Sequence, residues 1–136
     1  MEWDKFRVSL NEYEKAAFDL IQMLPKEKYH FVYGVPRGGL FLAVYLSYQL
    51  DLSLIIVDRE LGGVKPSRVL VVDDCVDTGK TMMKYKNLYD TAVLYYKPWS
   101  IVAPTYYVLT TEGWPVFPYE KFDEVPNRKR HIGGSK

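Results

Sequence analysis

The sequence holds one cysteine, Cys75. That excludes an intramolecular disulfide and any zinc site built from several cysteines. Its two histidines, His30 and His131, have no metal-ligand spacing. Neither sign of charge is in excess: 18 Lys and Arg stand against 17 Asp and Glu. This near-balance argues against a nucleic-acid binder driven by bulk charge. The one basic run, Arg128-Lys129-Arg130, belongs to a C-terminal tail over 128–136 of the kind that frays in solution. No 18-residue apolar run occurs, and the opening MEWDKFRVSL lacks an apolar signal core. A chain that avoids membranes and resides in the cytoplasm is the expectation. Internal repeats, low-complexity tracts and dividing linkers are also missing, so one domain is expected over 1–136.

What the chain does have is apolar residues, 48% of the total, enough for an unstapled core at this length. Tyrosine is frequent, at 12 copies, and serves cores, interfaces and stacking sites alike. KFRVS reads as a short edge strand. Ser9 and Glu12 have capping-box spacing. After them Tyr13, Ala16, Ala17, Leu20, Met23 and Leu24 form one helical stripe, which Pro25 stops. HFVYGV, LSLIIV, VLVVDD, TAVLYY and PTYYVLTT read as strands, and LFLAVYLSYQL and GKTMMKYKNLY as helices. DRELGGVKPSR reads as a polar loop and EGWPVFPYEKF as an irregular aromatic stretch. Such alternation predicts an α/β domain with a mostly parallel, twisted sheet flanked by helices. VLVVDD, apolar for four residues, belongs at its centre. Ligands of such sheets bind beyond the C-terminal strand ends, here PRGG, DDCVDTGKT and KPW.

VLVVDDCVDTGKT, Val69 to Thr81, carries the chemistry. It is not a Walker A loop, because Asp74 stands where that motif needs its first glycine. It is not the first strand of a receiver domain, because only 62 residues follow Asp74. A phosphorylated sugar suits it. Amides at a helix start bind phosphate, and Thr78 and Thr81 add hydroxyls. Asp73 and Asp74 accept from sugar hydroxyls and help hold Mg²⁺.

The same stretch resembles the phosphoribosyl pyrophosphate (PRPP) signature of the type I phosphoribosyltransferases: an apolar strand, two acids, two variable residues, then Asp-Thr-Gly-x-Thr. VYGVPRGGL resembles their pyrophosphate-loop segment. LYYKPW, with TYYVLTTEGWPVFPYE, resembles the purine end of the xanthine-guanine (6-oxopurine) branch. The resemblance implies Mg²⁺-dependent transfer from PRPP to xanthine, guanine or hypoxanthine, and a C-terminal base-binding hood at about 100–125. It implies PRPP contacts from Asp73, Asp74, Asp77, Thr78, Gly79, Lys80 and Thr81, with Asp74 on the metal. Arg37, Gly38 and Gly39 would bind pyrophosphate. Asp77 would be the general base, Lys97 would donate to the exocyclic oxygen, Trp114 would stack on the base and the Pro115 backbone would read its edge. Partners are then PRPP and a purine, with a homodimer or homotetramer expected.

The chain departs from that pattern in four places. The segment Asp58–Arg68 lacks the family's longer Ser-Tyr loop, Lys80 replaces a small residue, Pro36 stands where Ser is frequent, and Val116 replaces an acid. A regulator that binds PRPP or nucleotide without catalysis is the alternative from a different class. An enzyme for a pyrimidine or another base is a third, which Trp114 and Lys97 argue against.

Overall fold

A computed structural model describes residues 4–122. The basic run and the tail lie outside them, as does the end of the expected base-binding segment.

The capping box forms as the spacing predicts. Ser9 Oγ accepts from Glu12 N–H at 3.0 Å, and Glu12 Oε1 accepts from Ser9 N–H at 2.8 Å. Helix α1, Leu10–Met23, follows and buries Tyr13, Ala16, Ala17 and Leu20. Met23, counted into the stripe, is exposed instead; the helix ends there and the buried face continues through Leu24. Strand β2 is Phe31–Gly34 and helix α2 is Gly39–Leu50. Strand β3 is only Ser53–Ile55. Ile56 and Val57, read as strand, are exposed beyond it.

Strand β4, Val69–Val76, is the spine of the sheet. With β5, Asp90–Tyr96, and β6, Tyr106–Thr110, it completes five parallel strands in the order β3-β2-β4-β5-β6. β4 is central, as its apolar run predicts. Alternate residues serve opposite layers, because side chains along a strand point to alternate faces. Leu70 and Val72 join the core under α1 and α2. Val69 and Val71 join a second core with Tyr33, Leu61 and Tyr85. Tyr85 belongs to helix α3, Lys80–Lys86, which covers that second face.

Two further readings change. The polar run after β3 is not an open loop: it folds into 3₁₀ turns at Asp58–Gly63 and Pro66–Arg68. Its single large apolar residue before Val64, Leu61, is 4% exposed, and Asp58 pairs with Lys84 of α3 at 3.2 Å. One buried side chain and one ion pair thus hold the segment against the α3 face. The aromatic stretch is not wholly irregular either. Trp114–Val116 forms strand β7, parallel to the N-terminal strand β1, Lys5–Arg7. Trp114 N–H donates to Asp4 O at 2.9 Å and Val8 N–H to Val116 O at 2.9 Å. The first strand therefore helps build the C-terminal hood, a long-range pairing that local patterning does not encode. Among the described residues no helix is long and apolar enough to cross a membrane.

Candidate active site

Because β2, β4 and β5 run parallel, their C-terminal ends share one edge of the sheet. The turn after Gly34, the end of β4 and the segment after Tyr96 therefore meet there.

The turn from Pro36 to Gly38 packs directly on β4. A Cβ on Gly38 would strike the Asp74 carboxylate. A Cβ on Gly39 would lie 2.5 Å from Val72 O and 3.2 Å from Asp73 Cα. Gly39 N–H donates to Val35 O at 2.8 Å, and Val35 N–H to Val72 O at 2.9 Å, which seats the turn. Gly39 is needed for close approach of backbone to backbone, and Gly38 leaves room for the Asp74 carboxylate. Gly39→Ala is accordingly expected to cost about 1–3 kcal/mol, because its neighbours are main-chain atoms that cannot yield. A thermal melt checks this, and an unchanged Tm would show that the turn can shift. Arg37 projects from the turn and is exposed.

The two acids lie within β4 rather than after it, since β5 pairs with β4 as far as Val76. Adjacent strand residues face opposite ways. Asp73 lines a small polar pocket with Asp77, Thr78, Gly79 and Thr81. Its Oδ1 accepts from Asp74 N–H at 2.8 Å. Asp74 turns toward Gly38 and the hood, where its Oδ2 accepts from Tyr119 Oη at 2.7 Å. The acids are thus shared between two walls rather than paired on one.

The loop between β4 and α3 turns on Gly79, whose φ of +94° is a conformation that L side chains resist. Ser100 Oγ would be 2.6 Å from a Cβ there. Thr78 Oγ1 accepts from Lys80 N–H at 3.3 Å, and Thr78 O accepts from Ile101 N–H at 2.9 Å. Residues 100–102 thereby buttress the loop. Helix α3 is a 7-residue helix, so the loop amides and hydroxyls, rather than a long helix dipole, form this cradle. Lys80 begins the helix and is exposed. Cys75 is a packed residue whose thiol pKa burial pushes well up, the opposite of the shift that activates a thiolate.

Lys97 follows β5 and is 1% exposed. Its Nζ lies 3.6 Å from Asp77 Oδ1 and 4.1 Å from the centre of the Trp114 ring. Trp99 completes the group: its ring centre is 5.6 Å from Lys97 Nζ, and its Nε1–H donates to Asp77 Oδ1 at 3.4 Å. Pro115 is buried beside them in β7. The expected residues after β2, β4 and β5 stand at this one edge, and Trp114 of β7 reaches it through Lys97. Trp99 and Tyr119 were missed. Both lie in quoted segments, LYYKPW and TYYVLTTEGWPVFPYE, but neither residue type announces its partner.

No protein-family model matches the chain, and comparison with curated protein sequences yields no match. Solved structures do match. A purine phosphoribosyltransferase from Pyrococcus horikoshii Ot3 is 34% identical with a TM-score of 0.74, over 90% of this chain and 99% of that one. A xanthine-guanine-hypoxanthine phosphoribosyltransferase from Helicobacter pylori is 19% identical with a TM-score of 0.72, over 86% and 94%. A hypothetical protein from Neisseria gonorrhoeae with bound ppGpp is 21% identical with a TM-score of 0.67, over 90% and 93%. The last two show the fold alone. The identity to the first, spanning nearly all of that enzyme, places the chain in the type I phosphoribosyltransferase family. It is a transferase, and phosphoribosyl transfer from PRPP is its class of reaction.

Proposed function

We propose that this chain transfers the phosphoribosyl group from PRPP to a 6-oxopurine (xanthine, guanine or hypoxanthine). The products are a purine nucleoside monophosphate and pyrophosphate, a purine-salvage reaction. The observation that carries this reading is the buried Lys97 ammonium between Asp77 and the Trp114 indole. An ammonium only donates, so it matches the acceptor oxygen at C6 of an oxopurine and clashes with the donor amino group of adenine. The flat indole supplies the stacking area that any purine needs.

Each residue then has a task. Asp73, with Thr78, Gly79, Lys80 and Thr81, surrounds the ribose 5-phosphate. Arg37 and the backbone of Gly38 and Gly39 receive the pyrophosphate. Asp77 takes the proton from the purine ring as its nitrogen attacks C1 of the ribose, and Pro115 lends backbone to the purine edge. Among the described residues no group of three or more His, Cys, Asp or Glu could hold a metal by itself. Asp74, with substrate oxygens and water, suits Mg²⁺, a hard cation that keeps waters and shares phosphate ligands. When bound, Mg²⁺ neutralises charge on the departing pyrophosphate. A homodimer or homotetramer in the cytoplasm completes the proposal.

A panel assay tests it. The protein is incubated with Mg²⁺, PRPP and, in turn, hypoxanthine, guanine, xanthine, adenine and uracil, and nucleotide is measured. Product from one or more oxopurines, with none from adenine or uracil, is expected. Adenine turnover equal to that of the oxopurines would remove Lys97 as the selector. PRPP binding without product from any base would favour the regulator.

A further inference from the structure

Tyr119 joins three parts of the site. It sits in the hood turn that Phe117 and Glu120 close, where Phe117 N–H donates to Glu120 Oε1 and Glu120 N–H to Phe117 O, both at 2.9 Å. Its hydroxyl lies 2.7 Å from Asp74 Oδ2 on β4 and 3.2 Å from Gly38 O in the PRGG turn. A phenol has one proton. The shorter contact and the charged acceptor draw it to Asp74. A phenol keeps its proton at physiological pH, so the hydroxyl is the donor and the carboxylate the acceptor. The ring is fixed independently: it stacks on Phe41 at 4.5 Å and on Phe117 at 5.8 Å, and meets Tyr13 edge-on at 6.0 Å.

We propose that Tyr119 is a positioning residue that holds the Asp74 carboxylate, and with it the PRGG turn, in the geometry that binds PRPP with its divalent cation. The inference rests on the function proposed above, in which Asp74 serves PRPP. Tyr119 acts through Asp74 and touches neither the base nor the reacting atoms. It ties the hood that receives the base to the wall that receives the sugar, so one hydroxyl links the two halves of the site.

The test is calorimetric titration of PRPP in the presence of Mg²⁺, with no base present. Four chains are compared with wild type: Tyr119→Phe, Asp74→Ala, the Tyr119→Phe/Asp74→Ala double variant and Phe41→Leu. Tyr119→Phe keeps every ring contact and loses only the hydroxyl. It is expected to weaken PRPP binding about tenfold or more, the range for a hydrogen bond to a charged group. The KM for the purine should stay at the wild-type value. In the Asp74→Ala background the same change should add nothing. Phe41→Leu, which disturbs the ring stack and spares the hydroxyl, should bind PRPP like wild type. Wild-type affinity in Tyr119→Phe overturns the inference and leaves the proposed function standing. So does an equal loss with or without Asp74, or an equal loss in Phe41→Leu. A wild-type chain that binds no PRPP overturns both.

Discussion

Asp77→Asn is expected to lower kcat by about 10²–10⁴-fold, the range for loss of a positioned general base. PRPP binding should change little, because Asp73, Thr78 and the loop amides remain. The structure adds a second consequence that the sequence does not disclose. Asp77 is an ion partner of Lys97, and that ammonium is 1% exposed. Removing the carboxylate weakens the compensation of a buried cation, at a cost of about 3 kcal/mol, the low end for a broken buried pair. The low end applies because the Asp77 side chain is 14% exposed, while the Trp114 ring still faces the ammonium. Steady-state kinetics and a thermal melt read the two effects separately. Wild-type kcat would remove Asp77 from the proton transfer, and wild-type Tm would show that the pair contributes nothing to the fold.

Lys97→Met is expected to act on the base and spare the fold. Methionine keeps most of the buried stem, and the remaining Asp77 carboxylate is exposed enough to meet water. The loss of a charged donor should reduce kcat/KM for hypoxanthine or guanine by about 10–100-fold, with PRPP affinity unchanged. Combining the two changes separates catalysis from stability. Asp77→Asn/Lys97→Met contains neither charge, so its Tm should recover most of what Asp77→Asn loses while kcat stays at or below that of Asp77→Asn. A double variant as unstable as Asp77→Asn alone would show that the cost lies in loop geometry rather than in the uncompensated cation.

Much of this molecule is readable along the chain, and the reason is the range of the interactions involved. The Ser9–Glu12 box is a contact across three residues, and it forms as spaced. The alternation along Val69–Val72 assigns side chains to two layers because strand geometry has a period of two. That PRGG, DDCVDTGKT and KPW would be neighbours was legible because parallel strands all end at one edge. What failed to show was contact between segments far apart in sequence. Nothing in DRELGGVKPSR signals that Leu61 plugs a core with Tyr33 and Tyr85. Nothing in EGWPV signals that its strand partner is Lys5–Arg7.

By itself the sequence determined the parallel α/β order and the central β4, and by resemblance it nominated residues for a phosphorylated sugar and a base. Periodicity, turn residues and motif spacing are local, so each is readable before the chain has closed. Only the tertiary structure decided how those residues divide the work. It sends Asp73 to the small polar pocket with Thr78 and Thr81 and Asp74 to the hood, buries the Lys97 cation against Asp77, and brings Trp99 to Asp77 and Tyr119 to Asp74. Those outcomes depend on which side chains face each other after the chain has closed, and facing is a property of packing that no single segment contains.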